Sequence, residues 1–128
     1  MIGRKPKQRQ APGAAYTFDK RLRRLRSERK IGSRALAQEL GVSASWISKV
    51  ENRLEIPSVE TVIRIAEYFR VDCDDLLASA EKVHPDVIAF LVANPDARFR
   101  LRNEMEYQKN LAEQQADERK MVKMKRAA

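Results

Sequence analysis

Residues 33–52, SRALAQELGVSASWISKVEN, decide the fold of this 128-residue chain. Apolar side chains recur there at helical spacing, once before and once after a short interruption at residues 41–43. The two apolar stripes consist of Leu36, Ala37, Leu40, Ile47 and Val50. Ala37 is small enough to let two helices approach each other closely. The spacing therefore predicts two short helices packed against each other.

The interruption, Gly41-Val42-Ser43, has the features of a tight turn. Glycine adopts at little cost the positive φ that ends a helix, and serine is a favourable N-cap for the helix that follows. Two helices joined in this way form a helix-turn-helix, whose second helix typically enters the major groove of DNA. An ordinary helical hairpin within a small bundle is the alternative interpretation.

Composition agrees with nucleic acid as a partner. The net charge is +8, with 34% charged and 43% apolar residues, and the length suits one domain with extensions. No apolar run is long enough to span a membrane, and no apolar segment follows the basic N-terminus as in a secretory signal. The lone Cys73 cannot form an internal disulfide. We therefore expect a cytoplasmic protein without a membrane contact.

Positive charge concentrates at the start of the chain, where residues 1–15 carry +4 and residues 16–31 carry +5. Residues 1–16 contain few large apolar side chains and are predicted to form a flexible basic arm. This arm either contacts DNA or serves only as a solubilising tail. A helix predicted from Thr17 to about Lys30 carries more bases than solubility requires, so part of its face is expected to contact phosphate.

Further helices follow the central stretch. Ser58 is a predicted N-cap for a helix from about Val59 to Phe69, and Asp72 is one for a short helix containing Leu76 and Leu77. Together these elements predict a compact all-α domain of five helices over residues 17–80.

Residues 21–77 resemble the Xre or phage repressor/Cro family of helix-turn-helix domains. The shared features are a Leu-Ala pair, the Gly-Val-Ser turn, the Ile-Ser-Lys-Val-Glu run, the Pro-Ser before the fourth helix and an Asp-x-Leu end. The resemblance implies a five-helix lambda-repressor-like DNA-binding domain. It also implies a sequence-specific regulator of transcription that acts on double-stranded DNA.

Base contacts are expected on the second helix of the unit. Its outward residues are Ala44, Ser45, Trp46, Ser48 and Lys49, and the family pattern puts base contacts at all of these except Trp46. Lys49 can donate hydrogen bonds to guanine O6 and N7. Trp46 either contacts DNA or lies flat on the protein surface.

Phosphate contacts are expected from helix N-termini and neighbouring side chains. The expected set is Arg23, Ser33, Ser43, Asn52, Arg53 and Ser58. Ser33 has a shorter reach than the glutamine common in the family. Arg53 stands where the family usually has glycine, so either Asn52 or Arg53 should adopt the left-handed conformation. The resemblance further implies a structural ion pair between Arg26 and Glu51.

Residues 81–128 lie outside the resemblance and form a predicted helical extension. His84-Pro85-Asp86 and Asn94-Pro95-Asp96 are start signals for two helices. Their apolar residues, above all Ile88, Phe90, Leu91, Phe99 and Leu101, predict a dimer interface, and packing on the chain's own domain is the alternative. The distal residues 112–128 are expected to be a frayed charged helix or tail.

No pattern indicates catalysis, a cofactor or a metal site, because His84 and Cys73 stand alone without a spacing motif. We therefore expect a non-enzymatic, dimeric repressor or autoregulator that binds a palindromic operator. One alternative is an antitoxin or accessory protein of a toxin–antitoxin or mobile-element system, which binds a protein partner through the extension. A more distant one is an RNA-binding or coactivator-like basic module.

Overall fold

The computed structural model describes residues 13–128, and every regular element in that range is an α-helix. The helices are α1 (Phe18–Arg29), α2 (Ser33–Leu40), α3 (Ala44–Glu51), α4 (Val59–Phe69), α5 (Cys73–Ser79), α6 (Pro85–Ala93) and α7 (Pro95–Ala127). The chain divides into two compact units, of which one ends at His84 and the other begins at Pro85. None of the helices in residues 13–128 has both the length and the apolar character needed to cross a membrane.

The first unit contains α1 to α5 around one hydrophobic core. Its largest fully buried side chains are Phe18, Leu22, Leu36, Ile47, Val50, Pro57, Val62, Ile65, Phe69, Leu76 and Leu77. Every one of the five helices contributes to this set, because each presents one apolar stripe to the others. The predicted all-α, five-helix domain is confirmed.

Local hydrogen bonds set the ends of the helices much as the sequence predicts. Gly41 ends α2 with φ of 67°, in the left-handed region. The Oγ of Ser43 accepts from the backbone N–H of Trp46 at 3.0 Å, which caps α3. Ser58 and Asp72 cap α4 and α5 in the same way. Thr17 is the N-cap of α1, but its side chain makes no capping bond, and its N–H donates to the carbonyl of Ser79.

Most of the predicted arm lies outside the described residues, but its last four residues pack on the domain. The carboxylate of Glu81 accepts hydrogen bonds from the N–H groups of Gly13 and Ala15, at 2.9 and 3.2 Å. Tyr16 is only 2% exposed. The prediction that residues 13–16 belong to a flexible arm is therefore wrong, because an aromatic ring and two amides find partners there.

The second unit is a hairpin of α6 and α7. Each helix has proline at its first position, as predicted, and Arg98 Nη1 donates to the carbonyls of Leu91 and Val92 at the end of α6, both at 2.7 Å. Helix α7 continues to Ala127, where we expected fraying. Residues 112–127 contain no glycine or proline and consist mainly of strong helix formers, which accounts for the continuous helix.

Candidate nucleic-acid interface

Helix α3 has one buried side and one exposed side. Ile47 and Val50 are fully buried, whereas Ser45, Ser48 and Lys49 are exposed. The inner side fixes the helix in the core, so the outer side presents three polar side chains along eight residues of rigid backbone. A helix of this length and polarity has the size and the hydrogen-bonding groups to read base edges in a major groove.

The two other predicted base-contact residues are half-buried. Ala44 and Trp46 both pack against the edge of the hydrophobic core. The exposed part of the Trp46 ring remains available to a partner, so the structure leaves room for either of its two predicted roles. The short Ala44 side chain offers only its methyl group.

The ion pair expected between Arg26 and Glu51 is present. Arg26 Nε and Nη2 donate to Oε1 and Oε2 of Glu51 at 2.5 and 2.8 Å, and Glu51 is 8% exposed. Arg26 Nη1 also donates to the carbonyl of Ile31 at 3.2 Å. The hydrogen bond to Glu51 raises the pKa of Arg26 above its ordinary value. This pair ties the last residue of α3 to α1 and neutralises an acid that would otherwise repel phosphate.

Asn52 and Arg23, both expected at phosphate, contact each other. Arg23 Nη2 donates to Asn52 Oδ1 at 3.0 Å, and Arg23 Nε lies 3.9 Å from Oε2 of Glu51. Asn52 Nδ2 donates to the carbonyl of Ser48 at 2.8 Å. Both side chains are exposed, so the contact lies at the surface beside the end of α3.

Arg53, rather than Asn52, adopts the left-handed conformation after α3. Its φ is 60°, whereas that of Asn52 is −99°. The guanidinium carbon lies 5.2 Å from the centre of the Tyr16 ring, and Nη1 lies 4.0 Å from Oδ1 of Asp19. Arg53 thus contacts the protein where we expected a contact with the DNA backbone only. Its guanidinium remains partly exposed and has further donors.

The three serines expected at phosphate stand at helix starts. Ser33 is the first residue of α2, after Gly32 at the N-cap, while Ser43 and Ser58 are themselves N-caps of α3 and α4. Backbone N–H groups at a helix start attract anions. Each serine therefore lies where a phosphate would be favoured.

Three arginines, two of them on the predicted basic face of α1, have structural partners that sequence reasoning missed. Arg21 Nη2 lies 3.1 Å from Asp75 Oδ2, and Arg29 Nη2 donates to the carbonyl of Phe69 at 2.5 Å. Arg64 donates to the carbonyl of Leu40, at the end of α2. These partners are 24 to 54 residues apart in sequence, so no local pattern announces them.

The predicted dimer residues lie on the α6–α7 hairpin. Ile88, Phe90, Phe99 and Leu101 are exposed, with Phe99 at 67%, while Leu91 is half-buried. Large apolar side chains that are exposed to solvent are available for contact with another protein. Among residues 13–128 no cluster of histidine, cysteine and carboxylate side chains is suited to hold a metal ion.

The fold and the two-sided α3 define a helix-turn-helix domain. Residues 20–80 match the family model described as a helix-turn-helix domain, so this segment is similar to that family.

Two curated relatives match this part of the chain. One is the HTH-type transcriptional repressor RghR of Bacillus subtilis (strain 168), 38% identical over 72 residues, which are 53% of each chain. Another is the HTH-type transcriptional activator BcrR of Enterococcus faecalis, 33% identical over 66 residues, or 52% of this chain and 32% of the relative. The match thus spans about half of the one relative and a third of the other.

Among solved structures, the clp gene regulator ClgR from Corynebacterium glutamicum is similar, with 22% identity and a TM-score of 0.47. The similarity covers 72% of this chain and 94% of that chain.

Proposed function

We propose that the protein is a sequence-specific regulator of transcription that binds double-stranded DNA through α3. The observation that carries the proposal is the two-sided α3, buried through Ile47 and Val50 and exposed through Ser45, Ser48 and Lys49. In this proposal the base contacts come from the exposed residues together with Ala44 and Trp46. The names of the two relatives, a repressor and an activator, support transcription as the process.

Charge supports DNA as the partner. Residues 1–31 contain eleven bases and two acids. The sites proposed for phosphate contact lie on α1, at the starts of α2, α3 and α4, and directly after α3. Those sites are Arg23, Ser33, Ser43, Asn52, Arg53 and Ser58. Neutralising phosphates releases counterions, so affinity for all sequences should fall steeply with salt. Base contacts from α3 then add the preference for one site.

We further propose that the protein acts in the cytoplasm as a homodimeric repressor or autoregulator. The exposed apolar residues of the hairpin, Ile88, Phe90, Phe99 and Leu101, together with half-buried Leu91, supply the contact between two copies. A two-fold dimer reads two inverted half-sites, separated by about 10–10.5 base pairs or a multiple of that.

The same exposed apolar residues favour one second function, in which the hairpin binds a different protein. The protein would then be an antitoxin or accessory protein that binds its operator through the first unit. Hydrogen exchange, measured on the protein alone and after mixing with a co-purifying partner, distinguishes these two functions. Protection of the hairpin only in the mixture supports the second function, whereas protection in the isolated protein supports the homodimer.

Random-site selection with the purified full chain tests the proposal. We expect one recurring sequence, arranged as two inverted halves. Salt-dependent binding without a recurring sequence would overturn it and would favour the basic-module interpretation, in which RNA and DNA are bound by charge alone.

A further inference from the structure

Three residues at the C-terminal end of α3 are connected by hydrogen bonds. Arg23 Nη2 donates to Asn52 Oδ1 at 3.0 Å. Asn52 Nδ2 donates to the Ser48 carbonyl at 2.8 Å and approaches the Ser48 hydroxyl Oγ at 3.4 Å. All three residues are exposed, and Ser48 lies on the side of α3 proposed to face the bases.

The orientation of the Asn52 amide is determined at both of its ends. A guanidinium has only donors, so the amide atom facing Arg23 must be the oxygen. A backbone carbonyl only accepts, so the atom facing Ser48 must be the nitrogen. The two requirements agree, which removes the usual ambiguity between the two orientations of an asparagine amide.

The fixed amide favours one orientation of the Ser48 O–H. An N–H directed at Oγ occupies one acceptor site of the hydroxyl and leaves its O–H to point away from Asn52. We propose that Asn52, held by Arg23, makes Ser48 a hydrogen-bond donor toward DNA. Asn52 and Arg23 are then positioning residues that set base preference, in addition to any phosphate contact. This inference rests on the proposed function.

The consequence for base choice follows from the major groove. Guanine, adenine and thymine each offer an acceptor there, whereas cytosine offers only its N4 amino donor. A donating Ser48 therefore disfavours cytosine at the base it contacts. Asn52→Asp should reverse this, because a carboxylate still accepts from Arg23 but is repelled by the Ser48 carbonyl. It therefore turns toward the Ser48 hydroxyl and accepts its O–H. Ser48 then presents lone pairs, which suit the amino groups of cytosine and adenine.

The experiment is random-site selection with the wild-type full chain and with Asn52→Asp, Asn52→Ala, Ser48→Ala and Ser48→Ala/Asn52→Asp. We expect the wild type to disfavour cytosine at one position by about fivefold, the value of one hydrogen bond. Asn52→Asp should convert this into a preference for cytosine or adenine, and Asn52→Ala should abolish it. In the Ser48→Ala background Asn52→Asp should change nothing at that position. Unchanged preference in Asn52→Asp and Asn52→Ala, at a site that the protein still selects, would overturn the inference and leave the proposed function standing.

A measurement without DNA tests the same geometry. In the free protein, Arg23→Ala should shift the NMR signals of the Asn52 side-chain amide, since its oxygen loses a charged donor. Arg24→Ala is the matched control, because Arg24 pairs with Glu28 at 3.7 Å on the same helix. Asn52 signals that are insensitive to Arg23→Ala would contradict the inference, whatever DNA the protein selects.

Discussion

Arg26 on α1 and Glu51 on α3 are joined by two hydrogen bonds, at 2.5 and 2.8 Å, at the C-terminal end of α3. With Ile47 and Val50 in the core, this pair fixes the orientation of α3 relative to α1. The rigidity of the exposed face of α3 therefore depends on a charged contact as well as on apolar packing.

Removing Glu51 should strongly destabilise the domain. Glu51→Ala leaves Arg26 part-buried without its partner, which typically costs about 3–5 kcal/mol. Urea unfolding followed by circular dichroism measures the change. Glu28→Ala is the control, because the Arg24–Glu28 pair is well exposed and should contribute no more than about 1 kcal/mol. A change for Glu51→Ala within about 0.5 kcal/mol would rule out a stabilising role for the pair.

Arg53 combines a strained backbone with a favourable side-chain contact. At φ of 60°, glycine is more favourable than alanine, so Arg53→Gly should be more stable than Arg53→Ala by about 1 kcal/mol. Both variants lose the contact with the Tyr16 ring. Arg24, in the interior of α1, is the control position. There the order should reverse, and the glycine variant should be less stable than the alanine variant by about 1 kcal/mol. Equal urea midpoints for the two Arg53 variants would contradict a strained residue 53.

The raised pKa of Tyr16 predicts that the stability of the domain declines at alkaline pH. Burial, and then the nearby Asp19, raise the pKa of Tyr16 above 10.0, against the opposing effect of Arg53. The folded state holds the Tyr16 proton more tightly than the unfolded state does. The contribution of this proton to the free energy of unfolding is therefore fully present below pH 10 and is lost as pH rises through the folded pKa. Tyr16→Phe should flatten thermal stability above pH 10, and the exposed Tyr107→Phe should not. Parallel curves for wild type and Tyr16→Phe would contradict the shift.

The hairpin prediction concerns association in solution. Phe99→Glu places a charge in the proposed apolar contact and should convert a dimer into a monomer of 14.8 kDa, measured by light scattering. Gln114→Glu adds the same charge to the same helix, about four turns beyond Phe99, and should leave the dimer intact. A wild-type chain that is monomeric at micromolar concentration, or a dimer unaffected by Phe99→Glu, would contradict this interface.

The features predicted best from the sequence are those that depend on residues only a few positions apart. The turn at Gly41 and the caps at Ser43, Ser58 and Asp72 depend on hydrogen bonds within a few residues, and all four are present. The Arg26–Glu51 pair followed only from the family resemblance.

Features that depend on contacts between residues far apart in the sequence could not be predicted from local patterns. Sequence left open whether Asn52 or Arg53 is left-handed, because the Arg53 side chain contacts Tyr16, 37 residues away. The packing of Gly13 against Glu81 spans 68 residues and was missed for the same reason. The residues proposed to touch DNA remain predictions, since their partner is another molecule.

The central claim is that the exposed side of α3 chooses the DNA sequence, and Lys49 tests it most directly. The measurement is the affinity of wild type and Lys49→Ala for the selected site and for every single-base variant of it, at one salt concentration. We predict that Lys49→Ala loses about 1–3 kcal/mol of discrimination at one base pair and keeps it elsewhere. Lys109→Ala, which removes the same charge from α7, should keep all discrimination. If Lys49→Ala weakens every sequence equally, or changes none, α3 does not read the bases in the way proposed.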